Sequence, residues 1–134
     1  MVEFIDSNRK LVFVIDEMCI NSNEYFDLSF MIKINHSFFM AQKTIFCEKE
    51  RFVNFKNDLM NLYVGKNREL FFSDYERNID INMKKDEVGH IVANVTLRGF
   101  QDMLESHVFF EYTIDQSFLP ELIEEIETTL AELR

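Results

Sequence analysis

Residues 38–65 read FFMAQKTIFCEKERFVNFKNDLMNLYVG, and the hydrophobic period changes in the middle of that stretch. Phe38 to Phe46 reads as a strand. From Cys47 onward Phe52, Phe55, Leu59, Leu62 and Tyr63 recur every three or four residues, which puts them on one face of a helix. Glu48 and Glu50 fall in its first turn, where the helix dipole favours acids. Gly65 follows, a residue that readily takes the left-handed conformation ending a helix. The spacing predicts a helix at about residues 48–64, entered from a strand.

Upstream, Tyr25 to Ile34 alternates strictly, with Phe26, Leu28, Phe30, Ile32 and Ile34 on one side. That is the period of a half-buried strand. Leu11 to Ile15 reads as a shorter strand, and polar turns at 21–23 and 35–37 separate the three. Downstream, Leu70-Phe71-Phe72 is a short strand. Asn78 to Lys84 and His90 to Arg98 make a hairpin closed by a loop ending at Gly89. The second arm points Ile91, Ala93, Val95 and Leu97 inward, and Gly99 is expected to break it. Leu104 to Ile114 is the last strand, with Val108, Phe110, Tyr112 and Ile114 on one face. The period then returns to that of a helix: Leu119, Leu122, Ile123, Ile126, Leu130 and Leu133 form an apolar stripe. Ser117 is the expected N-cap, and Pro120 falls in the first turn, where a missing amide costs nothing.

The order is βββαββββα. Strands joined by short turns pair antiparallel, and a sheet with one apolar face needs cover. The expectation is a single α+β domain over residues 1–134: an antiparallel sheet of about seven strands with two helices packed on one face. The 15 Phe supply its core.

Charge narrows the function classes. The chain has 24 acids and 14 bases, a net of −10. Reading phosphates requires clustered Lys and Arg, so direct nucleic-acid binding is not expected. The imbalance is local: residues 102–134 hold nine acids and one base, Arg134. No apolar run approaches the roughly 20 residues of a membrane span, and no signal peptide is evident at the start. A cytoplasmic protein is expected, with Cys19 and Cys47 as free thiols.

Chemistry-bearing groups are sparse. His36, His90 and His107 form no metal-ligand motif, so no metal or cofactor is expected. Cys47 opens a helix, where a thiol is activated, but no base accompanies it, and a buried structural Cys is the plainer reading. Asp74, Glu76 and Asp80 lack the spacing of a calcium loop and read as a solvated loop. No catalytic residues are assigned, and an enzyme ranks last among the readings.

Three stretches carry a family resemblance. They are the run Glu48-Lys49-Glu50-Arg51-Phe52-Val53-Asn54-Phe55 into a helix ending at Gly65, the segment Glu69-Leu70-Phe71-Phe72-Ser73 with the hairpin after it, and Asp115-Gln116-Ser117-Phe118-Leu119-Pro120-Glu121-Leu122. In this order they resemble the WapI-type immunity proteins, small cytoplasmic partners of secreted bacterial contact-dependent toxins. The resemblance implies a non-catalytic protein that binds a cognate toxin and occludes its active site. If that toxin is a nuclease, its cleft is basic. Asp102, Glu105, Glu111, Asp115, Glu121, Glu124, Glu125 and Glu132 would then face it as a phosphate-like array. The rival reading is a structural or oligomerisation module, a homodimer built on Phe39, Val92 and Phe109 if these lie on the face away from the helices.

Overall fold

The structure is a computed structural model and describes residues 1–22, 25–36, 38–101 and 104–133. Four strands precede the first helix: β1 (Val2–Ile5), β2 (Leu11–Ile20), β3 (Leu28–His36) and β4 (Phe39–Cys47). Helix α1 (Lys49–Val64) leads to β5 (Glu69–Ser73), β6 (Ile79–Lys85), β7 (His90–Gln101) and β8 (Leu104–Asp115). A single 3₁₀ turn at Gln116–Phe118 then opens into α2 (Leu119–Ala131).

The α+β class and the antiparallel pairing are as expected, but the sheet count is not. The strands form two four-stranded sheets, β1-β2-β3-β4 (sheet A) and β5-β6-β7-β8 (sheet B), rather than one sheet of about seven. Each sheet is a series of neighbouring hairpins, and α1 falls between them, so β4 and β5 do not pair. The extra strand is β1. It is four residues long, with Val2 and Phe4 buried and Glu3 exposed, too short for a visible period. The alternating run before β4 also starts later than its pattern, at Leu28 rather than Tyr25. The turns expected at 21–23 and 35–37 include Asn23 and Ser37, which lie outside the described residues.

Both sheets turn their apolar faces to one continuous core. Sheet A contributes Phe4, Phe13, Ile15, Phe30, Ile32 and Ile45, and sheet B contributes Phe72, Ile81, Met83, Ala93 and Val95. Helix α1 joins them. Phe52 meets Phe30 of sheet A at 5.5 Å and Phe72 of sheet B at 6.1 Å, while Phe55 meets Phe72 at 4.9 Å and Phe4 at 6.5 Å. Across the other side Phe13 packs on Phe110 and Tyr112. Burying one such ring is worth about 1.5–3 kcal/mol, so these contacts dominate the fold's stability. Helix α2 packs against α1 and β1 through Leu119, Leu122, Ile123 and Ile126.

Several local expectations change. Gly65 is left-handed (φ 86°) and its N–H reaches Asn61 O, as a helix stop requires. Tyr63, however, stays at the helix rim, exposed. Gly99 does not break β7, which runs on to Gln101 paired with β8. Ser117 is not the cap of α2. Asp115 accepts a hydrogen bond from the Ser117 N–H at 2.9 Å and so caps the 3₁₀ turn, with Pro120 in the first turn of α2. Gly89 is left-handed (φ 90°) and lies under Gln116, whose Nε2 would sit 2.4 Å from any Cβ there.

Cys47 ends β4 on the inner face, fully buried, and burial pushes its thiol up to about 12. Cys19 is exposed, with its Sγ 3.1 Å from Ser29 Oγ. At pH 8 a thiol reagent such as Ellman's is therefore expected to titrate one thiol per native chain and the second only in denaturant. Rapid labelling of both in the native state would contradict the buried placement.

Candidate functional site

The acidic segment begins on β8. In a strand, alternate residues face opposite ways. Phe110, Tyr112 and Ile114 pack inward, so Glu105, His107, Phe109, Glu111 and Thr113 face out from sheet B. Glu105 and Glu111 are exposed there, and among the described residues neither is paired with a cation. Asp102 lies outside the described residues.

The chain then caps itself with Asp115. The hydrogen bond from the Ser117 N–H holds that carboxyl below the usual carboxylate range, which gives Asp115 a local structural role. On α2 the apolar stripe faces the core and the carboxylates lie opposite or at its margin. Glu121, Glu124 and Glu132 are exposed and Glu125 is half-buried. Together with Met1, Thr128 and Thr129 they line a shallow depression of about 390 Å³.

Two of these helix carboxylates have work inside the fold. Glu125 accepts a hydrogen bond from the Glu3 N–H at 3.0 Å, capping an amide of the edge strand β1. Burial raises its pKa, and the charges of Glu3 and Glu121 add to the rise. Glu121 pairs with Arg9 at 3.7 Å, and the Arg9 guanidinium stacks 4.5 Å from the Phe118 ring centroid. Glu124 and Glu132 carry no such ties among the described residues. The sequence reading passed over Glu127, which is exposed and 3.9 Å from Lys56 of α1. Its i, i+3 spacing from Glu124 was the available signal. The seven described residues therefore divide: Glu105 and Glu111 belong to the outer sheet face, Glu121, Glu124 and Glu125 to α2, Glu132 to its C-terminal cap, and Asp115 to the joint between strand and helix.

The group read as a solvated loop is not one. Asp74 and Asp80 are buried, and only Glu76 is exposed. Asp74 accepts from the Ile79 N–H at 2.9 Å and from Asn78 Nδ2 at 3.2 Å. Asp80 is ion-paired with Arg98 and with Arg77. Burial opposes its ionisation, but hydrogen bonds from Ser73 and Arg98 and the charge of both arginines outweigh it and hold the carboxyl low. Lys43 of sheet A reaches across to Asn78 Oδ1 at 2.8 Å and to Arg98 O at 2.9 Å. This arrangement is a polar tie between the two sheets. Among the described residues no three His, Cys, Asp or Glu side chains converge as a metal set would.

Nor does the apolar patch of the rival reading assemble. Phe39 pairs with His36 in the β3–β4 register and packs against the core from the inner face of sheet A. Val92 and Phe109 lie on the outer face of sheet B, so the three residues do not share a surface. Among the described residues no helix is long and apolar enough to cross a membrane.

No curated protein and no solved structure matches the chain. A family model does, over residues 14–134, from β2 to the last residue: that of the WapI-like immunity proteins. The matched span contains most of β2 and every element after it, including sheet B and the acidic helix. The chain belongs to the WapI-like immunity protein family.

Proposed function

We propose that the protein protects the cell that makes it by binding a cognate toxin in the cytoplasm and occluding the toxin's active site. It acts by binding, without catalysis and without a cofactor. The observation that carries this mode is the placement of charge. Residues 102–134 account for −8 of the net −10, and the carboxylates described there are mostly at the surface. Such a field attracts a basic partner and raises its association rate, more strongly at low salt. A nuclease, whose cleft must bind phosphates, is the toxin class that best complements it.

The test follows from which acids are free of structural duty. Lys at Glu121 or Glu125 would also disturb Arg9 or the β1 edge. Glu124→Lys with Glu132→Lys changes charge alone. Against the cognate toxin domain, the double variant is expected to bind about tenfold more weakly, mainly through slower association, and with a flatter salt dependence. Unchanged affinity and unchanged salt dependence would remove the acidic helix from the mechanism.

A further inference from the structure

We propose that the outer face of sheet B is the surface on which the toxin seats, and that it receives a cationic, donor-rich side chain between two exposed aromatic rings. This rests on the immunity reading above and names the contact surface within it.

The register defines the face. One cross-strand row is Glu69–Lys84–Val92–Thr113, the next is Phe71–Asn82–Asn94–Glu111, and the third is Ser73–Asp80–Thr96–Phe109. Both helices pack on the other side of the sheet system, against β5 and β1. Phe71 is 54% exposed, Phe109 60% and Val92 37%, so large apolar groups stand on an uncovered sheet. With strands about 4.8 Å apart, the two Phe positions are about 14 Å apart across the sheet. Between them lie the short polar side chains of Asn82, Asn94 and Thr96. Exposed aromatic rings are the side chains most enriched as anchors of protein-binding faces.

The polar centre is incomplete. The Oδ1 atoms of Asn82 and Asn94, paired neighbours in the register, are buried without a hydrogen-bond partner. Two acceptors side by side lack donors. A half-turn of either amide brings its oxygen outward, where an incoming Arg or Lys would satisfy it. Charge points the same way. Lys84 stands opposite Glu69, and Asp80 pairs with both Arg98 and Arg77, so the one excess positive charge of this face sits at that corner, while Glu111 and Glu105 at the β8 side have no cation partner among the described residues.

Charge also weighs against a second copy: laid face to face with β8 on β8, it would bring Glu111 and Glu105 against like carboxylates. The outer face of sheet A, with Met40 and Phe46 exposed, pairs Lys33 with Asp16 and Glu17 and has, among the described residues, no such set of orphan acceptors.

The test uses the full chain and the cognate toxin domain in a calorimetric titration, with protection of toxin-expressing cells as a second readout. Phe71→Ser, Phe109→Ser and Glu111→Lys are each expected to weaken binding about tenfold or more at an unchanged Tm. Asn94→Leu is expected to hold or raise Tm while weakening binding, an opposition that a merely structural residue would not show. If the wild-type chain binds and protects but these four variants do so equally well, the proposed face is wrong and the immunity reading stands. If the wild-type chain neither binds nor protects, that reading falls and the docking face with it. A wild-type dimer that Phe71→Ser or Phe109→Ser turns into a monomer would assign the face to a second copy and overturn the proposal.

Discussion

Phe52→Ala is expected to lower the free energy of unfolding by about 3–5 kcal/mol. The ring is fully buried and is the point where three layers meet. It rides on α1, touches Phe30 of sheet A and Phe72 of sheet B, and packs beside Phe55 at 5.9 Å. Removing it forfeits the transfer free energy of the ring and leaves a cavity bounded by elements that cannot all close in at once. Helix α1 cannot approach one sheet without withdrawing from the other, so relaxation is poor and the cost lies at the upper end of the range. Against a total of about 5–15 kcal/mol for a folded protein, the loss is a large fraction. Met60→Ala, exposed on the same helix, is the control, with a change within about 0.5 kcal/mol. Urea denaturation of both variants decides the matter. A Phe52 effect under about 1 kcal/mol would mean that α1 is not the bridge between the sheets.

The elements with a strong period are legible in the sequence itself. The alternation of Leu28 to Ile34 and of Ile91 to Leu97 reappears as inward-facing residues, because a strand with one buried face can have no other pattern. The two helices were placed to within a residue or two for the same reason. What the pattern does not carry is which strands are neighbours. Alternation is identical in one seven-stranded sheet and in two four-stranded ones. The division is set by α1, whose Phe52 and Phe55 fit between two inner faces, a tertiary fact. Val2 and Phe4 escaped notice because two apolar residues around one Glu make no period.

The candidate site was legible in location and illegible in detail. Charge is additive along a sequence, so the acidity of residues 102–134 could be read directly. Whether a carboxylate faces solvent or caps the fold depends on which amide lies near it. Asp115 and Ser117 are close in sequence, and a capping role was within reach. The Glu3 amide that Glu125 accepts is 122 residues away, and nothing local announces it. The outer face of sheet B shows the same limit. Alternation along β8 sets Phe109 on the side opposite Phe110, but only the register shows that Phe71 shares that uncovered side, with Asn82 and Asn94 between them.

Asp74→Ala is expected to cost about 3 kcal/mol, out of proportion to the two hydrogen bonds it deletes. Residues 74–79 turn tightly: the Arg77 N–H donates to Asp74 O at 3.0 Å, and Arg77 itself is left-handed at φ 59°. The Asp74 carboxylate holds the far side of that turn by accepting from the Ile79 N–H and from Asn78 Nδ2. Asn78 thus points its Oδ1 at Lys43, and its own carbonyl accepts from the Arg98 N–H at 2.7 Å. Losing the carboxylate strands a buried amide N–H and frees the Asn78 side chain, and the Lys43 ammonium then loses one of the two acceptors that tie sheet A to sheet B, keeping Arg98 O. Buried donors left unsatisfied cost about 1–3 kcal/mol each, and the steps compound because they share one network. Asp74→Asn separates geometry from charge. It can still accept from Ile79 but turns an NH₂ toward the Asn78 NH₂, so a loss of about 1–2 kcal/mol is expected. Glu76→Ala removes only a long contact of 3.3 Å from an exposed carboxylate and should change stability by about 0.5 kcal/mol or less. Denaturation midpoints rank the three, and hydrogen exchange at the Ile79 amide reads the turn itself. In Asp74→Ala that amide should lose its protection. If it exchanges as slowly as in the wild type, the turn closes without Asp74, and the carboxylate is not what joins the two sheets at this end.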